Sequence, residues 1–422
     1  MTGTYHSPDV LAVKREVRAT KLDPITTKSA RHVFVFLEIF ACEGGIQSYV
    51  KDVLKSYVTL VEPVDREIAV PYKADVFLLR DGPECHNPLE SSPINFHYFK
   101  TRPPALGRLK LAAQLLASLL RDRPERVFCG HINLAPMIQA LCQPLGIPYT
   151  VLTYGKEFWV KLPQHEQKAL QQAASIWTIS RYSRDRACEV NGLDPQLVKL
   201  LPCIVDGDAF TPGPKNPALV EKYGLAGSKV LMTVARLWAG DRYKGVDVTI
   251  QALPAIAQAF PQVKYLVIGR GDDQPRLAQL AQDLGVADRV VFAGFVPTEE
   301  LVEHYRLANA YVMPSQEGFG IVYLEAMACG VPVVAGDADG SADPLQDGKL
   351  GWQVPRRDSE AVAAACIEIL RNTEDAVGKP SDRRCDGAWL RQEALSLFGA
   401  EALTQQLKQL LSSTIGESTK LS

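Results

Sequence analysis

The segment Glu317-Gly318-Phe319-Gly320-Ile321-Val322-Tyr323-Leu324-Glu325 follows a short apolar run, Tyr311 to Met313, and a turn at Pro314-Ser315. Its two glycines permit close backbone approach. A helix starting near Phe319 would aim unpaired N–H groups and the positive end of its dipole at a ligand. Such a helix end suits a diphosphate. Glu317, just ahead of it, can reach sugar hydroxyls, and Glu325, one to two turns inside, can accept from the two hydroxyls of a ribose. The same pattern also describes an acidic residue complementing a helix dipole plus an exposed helical glutamate, so the nonapeptide alone leaves both readings open.

Two cations favour the first reading. Arg236 directly follows the strand-like run Val230 to Ala235, and Lys244-Gly245 opens the next helical segment. Projecting from one sheet edge, they would neutralise a leaving nucleoside diphosphate, the main task when a glycosidic bond to phosphate breaks. Gly269-Arg270-Gly271 makes a turn able to sit against a nucleotide, but Gln274 stands where a G-x-G-x-x-G signature needs its third glycine. A nicotinamide-dependent oxidoreductase is disfavoured by that break. In the first half, Gly44-Gly45 precedes a helix and can let backbone approach a phosphate from an opposite wall. Gly130-His131 and Thr153-Tyr154-Gly155-Lys156-Glu157 each follow a strand and are natural places for acceptor contacts, although a lone histidine at a strand end is often structural.

Positioning these groups requires strands that end at one edge. Apolar runs of strand length alternate with amphipathic helical segments from His32 to Ser180, and the rhythm restarts after the Pro- and Gly-rich stretch Pro202 to Pro214. Alternation of this kind predicts an α/β protein of two doubly wound parallel sheets facing each other, with ligands in the cleft between their carboxyl edges. The predicted division is a flexible arm at 1–30, an acceptor-binding domain at 31–204 and a nucleotide-sugar domain at 205–385. A helix and tail at 386–422 would return toward the first domain. Pro202 to Pro214 is the candidate hinge.

The 422 residues suffice for two or three domains, and 46% hydrophobic with 22% charged residues excludes a disordered chain. A net charge of −2 leaves no basic field for nucleic acid, although the first 200 residues carry +5 and the remainder −7. Nine scattered cysteines without a CxxC pair predict reduced thiols in the cytoplasm and no zinc site. The longest nearly apolar run, Leu111 to Leu120, is too short to span a bilayer, which needs about 20 residues. Flanked by Arg108, Lys110, Arg121, Arg123 and Arg126, that helix either lies on the inner face of an anionic membrane or covers a sheet with solvated basic ends.

In these features the chain resembles glycosyltransferase family 4, retaining enzymes with two Rossmann-like domains known as the GT-B fold. The resemblance covers roughly residues 31–410. It rests on Gly44-Gly45, Val205-Asp206 with Phe210-Thr211-Pro212, Val234-Ala235-Arg236-Leu237 and Lys244-Gly245. It continues through Gly294-Phe295-Val296, Glu300-Leu301, Pro314-Ser315, the E-x7-E element and Glu325-Ala326-Met327-Ala328-Cys329-Gly330-Val331-Pro332-Val333. It implies a nucleotide-sugar donor, with a UDP-sugar such as UDP-glucose expected, and no catalytic metal or other cofactor. Arg236 and Lys244 would hold the diphosphate, with Gly44, Gly45, Gly269 and Gly271 close by. The backbone of Gly318, Phe319, Gly320 and Ile321 would contact phosphate and sugar, Glu317 the sugar, Glu325 the ribose, and Phe295 with Val296 the base.

The resemblance also implies transfer of a hexose to a lipid-linked or oligosaccharide acceptor of an envelope polysaccharide, and the sequence near Asp339 is similar to the heterocyst envelope type. Two departures stand out. Tyr154 occupies the place of a family histidine, and a phenol with a reference pKa near ~10 is a poor base at neutral pH. His131 or Glu157 would then position the acceptor. Asp343 stands where relatives carry a glutamate. A catalytically silent sugar-nucleotide-binding subunit is the competing expectation.

Overall fold

A computed structural model describes residues 31–42, 44–61, 73–374 and 380–412. The expected arm at 1–30, the tail beyond 412 and Glu43 lie outside the described residues. Thirteen strands are described, in two wholly parallel sheets. In the first are β1 (Arg31–Phe36), β2 (Lys73–Leu78), β3 (Ile94–Tyr98), β4 (Arg126–Cys129), β5 (Tyr149–Leu152), β6 (Ser175–Thr178) and β7 (Val198–Leu200), in spatial order β3-β2-β1-β4-β5-β6-β7. The second holds β8 (Lys229–Val234), β9 (Val263–Ile268), β10 (Val290–Gly294), β11 (Ala310–Met313), β12 (Val333–Gly336) and β13 (Trp352–Val354), in order β10-β9-β8-β11-β12-β13.

The central strands read as continuous apolar runs because helices cover both faces. On β1, Val33 and Val35 enter the outer core beneath the helix Pro104–Arg121, whereas Phe34 and Phe36 point to the opposite face, against the helix Gly45–Val61. The second of these cores also takes Met232 of β8 and Leu403 and Leu407 of the last helix, so one apolar body joins the sheets. The sequence reading passed over β2, β3, β7 and β13. β7 and β13 are three residues long, and β3 is an edge strand with one fully buried residue, too little to display a period. β2 is apolar only in its second half, Val76 to Leu78, after Lys73 and Asp75.

Strand order reverses at β1/β4 in one sheet and at β8/β11 in the other. Open α/β sheets bind ligands at such switch points. The loops leaving those four strands carry Gly44-Gly45, Gly130-His131, Arg236 to Gly245 and Pro314 to Gly320, so topology brings the candidate residues to one cleft. Two crossings connect the halves. The Val205 N–H donates to the Phe398 carbonyl at 2.9 Å, tying the Pro202–Pro214 connection to the return at Gly399. The helix Ala400–Ser412 then packs on Gly45–Val61, with Gln406 donating to the Leu200 carbonyl at 2.9 Å. Among the described residues no helix is long and apolar enough to cross a membrane.

Candidate active site

The second-sheet wall is built from the two switch-point loops. After β8, Arg236 is 72% exposed and pairs with the buried Asp241 at 2.8 Å. The 3-10 turn Ala239–Lys244 closes on Gly245, whose φ of +76° suits glycine and where a Cβ would lie 2.6 Å from the Pro314 carbonyl oxygen. Only glycine lets the two loops approach so closely. After β11, the Glu317 N–H donates to Asp339, and Gly340 returns a bond to the Glu317 carbonyl at 2.9 Å. The Lys244 ammonium is ion-paired with the Glu317 carboxylate.

The helix Ile321–Ala328 begins two residues later than expected, because Gly320 adopts φ +94° and turns the chain into it. No side chain caps its first turn, and although the Tyr323 N–H donates to the Gly320 carbonyl at 3.1 Å, the Ile321 and Val322 N–H groups ahead of it are available to an anion. Glu325 is half-buried, accepts from the Tyr305 hydroxyl at 2.6 Å, and burial pushes its pKa up to about 7. Burial likewise raises Asp339 to about 6, against the Ser341 hydrogen bond, which favours the anion.

Opposite stands the start of the helix Gly45–Val61. Gly44 and Gly45 share a cleft of about 800 Å³ with Arg236, Lys244, Gly269, Phe295, Val296, Ile321 and Glu325. A contiguous pocket of about 360 Å³ continues past Gly45 and Lys244 to Glu317, Gly318, Phe319, Gly320 and Tyr154. A Cβ on Gly318 would lie 3.2 Å from the Tyr154 carbonyl oxygen and 3.5 Å from Ile179, so the two walls meet there. The fold thus brings together every expected donor residue except Gly271. That glycine packs against the Leu237 main chain, where a Cβ would come within 2.0 Å of the carbonyl oxygen, and serves the turn instead of lining the cleft.

The acceptor expectations divide. His131 lies beside Tyr154, Glu38, Arg80 and Asn133 in a pocket of about 160 Å³ at the first-sheet edge. Its Nδ1 accepts from the Asn133 N–H at 3.1 Å, and burial with nearby Arg80 lowers its pKa. The neutral ring therefore carries its proton on Nε2 and is a donor toward that pocket. The Tyr154 hydroxyl donates to the Gly130 carbonyl at 2.6 Å, so the phenol is a fixed wall.

Glu157 does not face the cleft. Its carboxylate turns back to accept from the Tyr154 amide, because that turn leaves main-chain donors unpaired, and burial raises its pKa. Asp343, the residue that departs from the family glutamate, does not line the donor cleft. It accepts from the Arg181 N–H at 2.6 Å and pairs with the Arg181 guanidinium, which also holds Asp347 at 2.7 Å. Sequence reasoning missed Arg181 and placed Lys156 only within an acceptor-contact stretch, although both come just after first-sheet strands, where the functional residues of such sheets gather. Among the described residues no three His, Cys, Asp or Glu side chains converge as a metal site.

The family profile "Glycosyl transferases group 1" matches residues 228–372, the stretch from β8 to the helix after β13. The D-inositol 3-phosphate glycosyltransferase of Geodermatophilus obscurus is 38% identical over 78% of this chain and 78% of its own. The chain belongs to the group 1 glycosyltransferases. This glycosyltransferase is also 37% identical, over 60% of its length and 69% of the relative's, to a GDP-mannose-dependent alpha-(1-6)-phosphatidylinositol monomannoside mannosyltransferase of Mycolicibacterium smegmatis. Its fold matches the structure of Anabaena HepE in complex with UDP, with a TM-score of 0.70 at 23% identity over 91% of this chain and 100% of the other. The two-sheet GT-B architecture expected from the sequence is therefore the one found.

Proposed function

We propose that this glycosyltransferase moves a hexose, with retention of anomeric configuration, from a nucleoside-diphosphate sugar to a hydroxyl of a lipid-linked or oligosaccharide acceptor. The reading rests on one observation: Arg236, Lys244 and the uncapped start of Ile321–Ala328 converge on the same cleft as Glu317 and face Gly44-Gly45. Both cations are paired with carboxylates, Arg236 with Asp241 and Lys244 with Glu317. An arriving diphosphate takes over the cations and frees Glu317 for sugar hydroxyls. The bond between C1 and the phosphate oxygen then breaks with its electron pair leaving on the diphosphate, where the cations and helix N–H groups stabilise the charge. The acceptor oxygen bonds C1 from the same face, and its proton passes to the departing phosphate oxygen. No protein nucleophile enters this route, and it needs no metal.

The relatives named for GDP-mannose and phosphatidylinositol mannosides make GDP-mannose with an inositol-lipid acceptor the first pair to assay. UDP-glucose, the donor expected from the sequence, is the competitor. Delivery of a lipid acceptor fits the helix Pro104–Arg121. Leu111, Leu115 and Leu119 cover the sheet, while Leu106, Leu109, Leu116 and Leu120 form a second, outward stripe with Leu109 67% exposed. Arg108, Lys110 and Arg121 lie on the same helix, so the occupant that matches this face in charge and polarity is an anionic bilayer. Sedimentation with phosphatidylglycerol vesicles tests it. Equal binding to neutral vesicles, or none, refutes it.

Calorimetry in EDTA with UDP, GDP, ADP and NAD, followed by turnover with the matching sugar nucleotides and lipid acceptors, tests the whole reading. Tight binding of one diphosphate, weakened in Arg236→Ala, with release from one sugar donor that Arg236→Ala and Glu317→Ala both slow, is the expected result. Binding without turnover on any acceptor would leave a silent nucleotide-binding subunit. No binding would end both.

A further inference from the structure

Lys156 belongs to the first sheet, yet its ammonium works in the second-sheet wall. It sits on the loop leaving β5, between Gly155, which has φ +133°, and Glu157. The Glu157 carboxylate accepts from the amide of Tyr154 and hydrogen-bonds the main chain of its own turn, so the loop is stapled from inside and Lys156 is turned out across the cleft. A Cβ on Gly155 would lie 3.6 Å from the Gly318 Cα, which fixes the root of this side chain beside the Glu317-Gly318 segment.

The Lys156 Nζ lies 3.3 Å from the centroid of the Tyr243 ring. Tyr243 immediately precedes Lys244, and its carbonyl accepts from the Gln316 N–H at 3.0 Å, so its main chain is tied to the loop that carries Glu317. The charges that act on Lys156 are Glu317 and Asp241, which attract it, and Lys244 and Arg236, which repel it. Those two carboxylates already hold Lys244 and Arg236, and among the described residues Lys156 makes no ion pair. Three cations thus share two carboxylates, and the surplus charge sits on the opposite wall from the other two.

We propose that Lys156 is a third diphosphate-binding residue, supplied across the cleft by the first sheet, so that full stabilisation of the leaving group requires the two walls to be together. The inference rests on the nucleotide-sugar reading above. A cation held only by an aromatic face is free to move to a stronger, anionic partner, and charge-assisted bonds to phosphate exceed cation–π contacts at a partly exposed site. Because the residue is carried by the acceptor-side sheet, its contact with the departing phosphate couples donor activation to closure of the cleft.

The test measures binding of GDP, GMP, UDP and UMP to wild type, Lys156→Met and Lys156→Arg, with turnover on whichever sugar donor wild type uses. Methionine keeps a flexible apolar stem against Tyr243 and removes the charge. Lys156→Met is expected to lose about ten- to a hundredfold in affinity for the preferred diphosphate and only a few-fold for its monophosphate. Its kcat should fall more than its affinity for sugar donor, and Lys156→Arg should restore most of both. Equal losses for diphosphate and monophosphate would mean that Lys156 merely packs the loop and would overturn the proposal, as would wild-type diphosphate affinity and kcat in Lys156→Met. If wild type binds no nucleoside diphosphate, the donor reading fails and this inference with it.

Discussion

Replacing Glu325 with glutamine should stabilise the empty protein while impairing nucleotide binding, and the two effects should carry opposite pH signatures. Burial raises this carboxyl from its ordinary 4.5 to about 7, against the favourable bond from Tyr305. An acid whose folded pKa exceeds its unfolded value holds a proton more tightly when folded. Its neutral form is therefore accommodated at low pH, and stability is lost as pH rises from about 4.5 through about 7. Above pH 7 the cost of keeping the anion buried is on the order of 3 kcal/mol, and at pH 5 it is below about 1 kcal/mol. Urea denaturation at pH 5 and pH 8 should show the gain from Glu325→Gln larger by about 2 to 3 kcal/mol at pH 8. Asp339 and Asp52, also raised to about 6, titrate in both proteins and cancel in the difference. Ribose hydroxyls need the anion, so wild-type nucleotide affinity should fall about tenfold between pH 7.5 and pH 6, while the variant binds weakly with a flatter profile. A pH-independent stability difference, or parallel binding profiles, would refute the assignment of a strained, ribose-accepting carboxylate.

Three further outcomes follow from the geometry. Arg181→Ala removes the clasp to Asp343 and Asp347; because the guanidinium is substantially exposed, only about 1 kcal/mol of closed-state preference should go, read as a larger radius of gyration with nucleotide bound and a raised donor KM, and unchanged scattering and kinetics would sink the idea. A Cβ on Gly340 would lie 2.1 Å from the Gly318 carbonyl oxygen, so Gly340→Ala should displace the Glu317-Gly318 segment and cut turnover at least about tenfold while circular dichroism is retained; normal turnover would count against that segment as the sugar contact. His131→Ala should raise acceptor KM without altering GDP or UDP affinity, and because the ring is held neutral the wild-type rate should show no limb near pH 6.5 that the variant lacks; loss of such a limb in the variant would make His131 a base instead of a donor.

The alternating architecture was legible because parallel strands buried on both faces and glycine-marked strand ends leave local marks. Runs such as Val230–Met232 and Tyr265–Ile268 are apolar throughout, and Gly318 and Gly320 sit where a loop must pass close to a helix start. The four strands that escaped notice include two of three residues and an edge strand, which bury too little to impose a period. Arg236, Lys244, Glu317 and Glu325 could be grouped from their places after strands, and the fold does bring them to one cleft.

Direction and pairing were another matter. Whether Glu157 faces a ligand or its own turn depends on main-chain donors a few residues away that only the folded loop leaves unpaired. The fate of Asp343 depends on Arg181, 162 residues distant, and the place of Lys156 on a ring carried by the other sheet. By itself, then, the sequence determined the fold class, the two-sheet plan and which residue types stand at strand ends, since periodicity, glycine and apolar runs are local properties. Only the tertiary structure decided which of those side chains meet, because contacts between loops of two separate sheets are set by how the sheets pack, and no spacing along the chain records it.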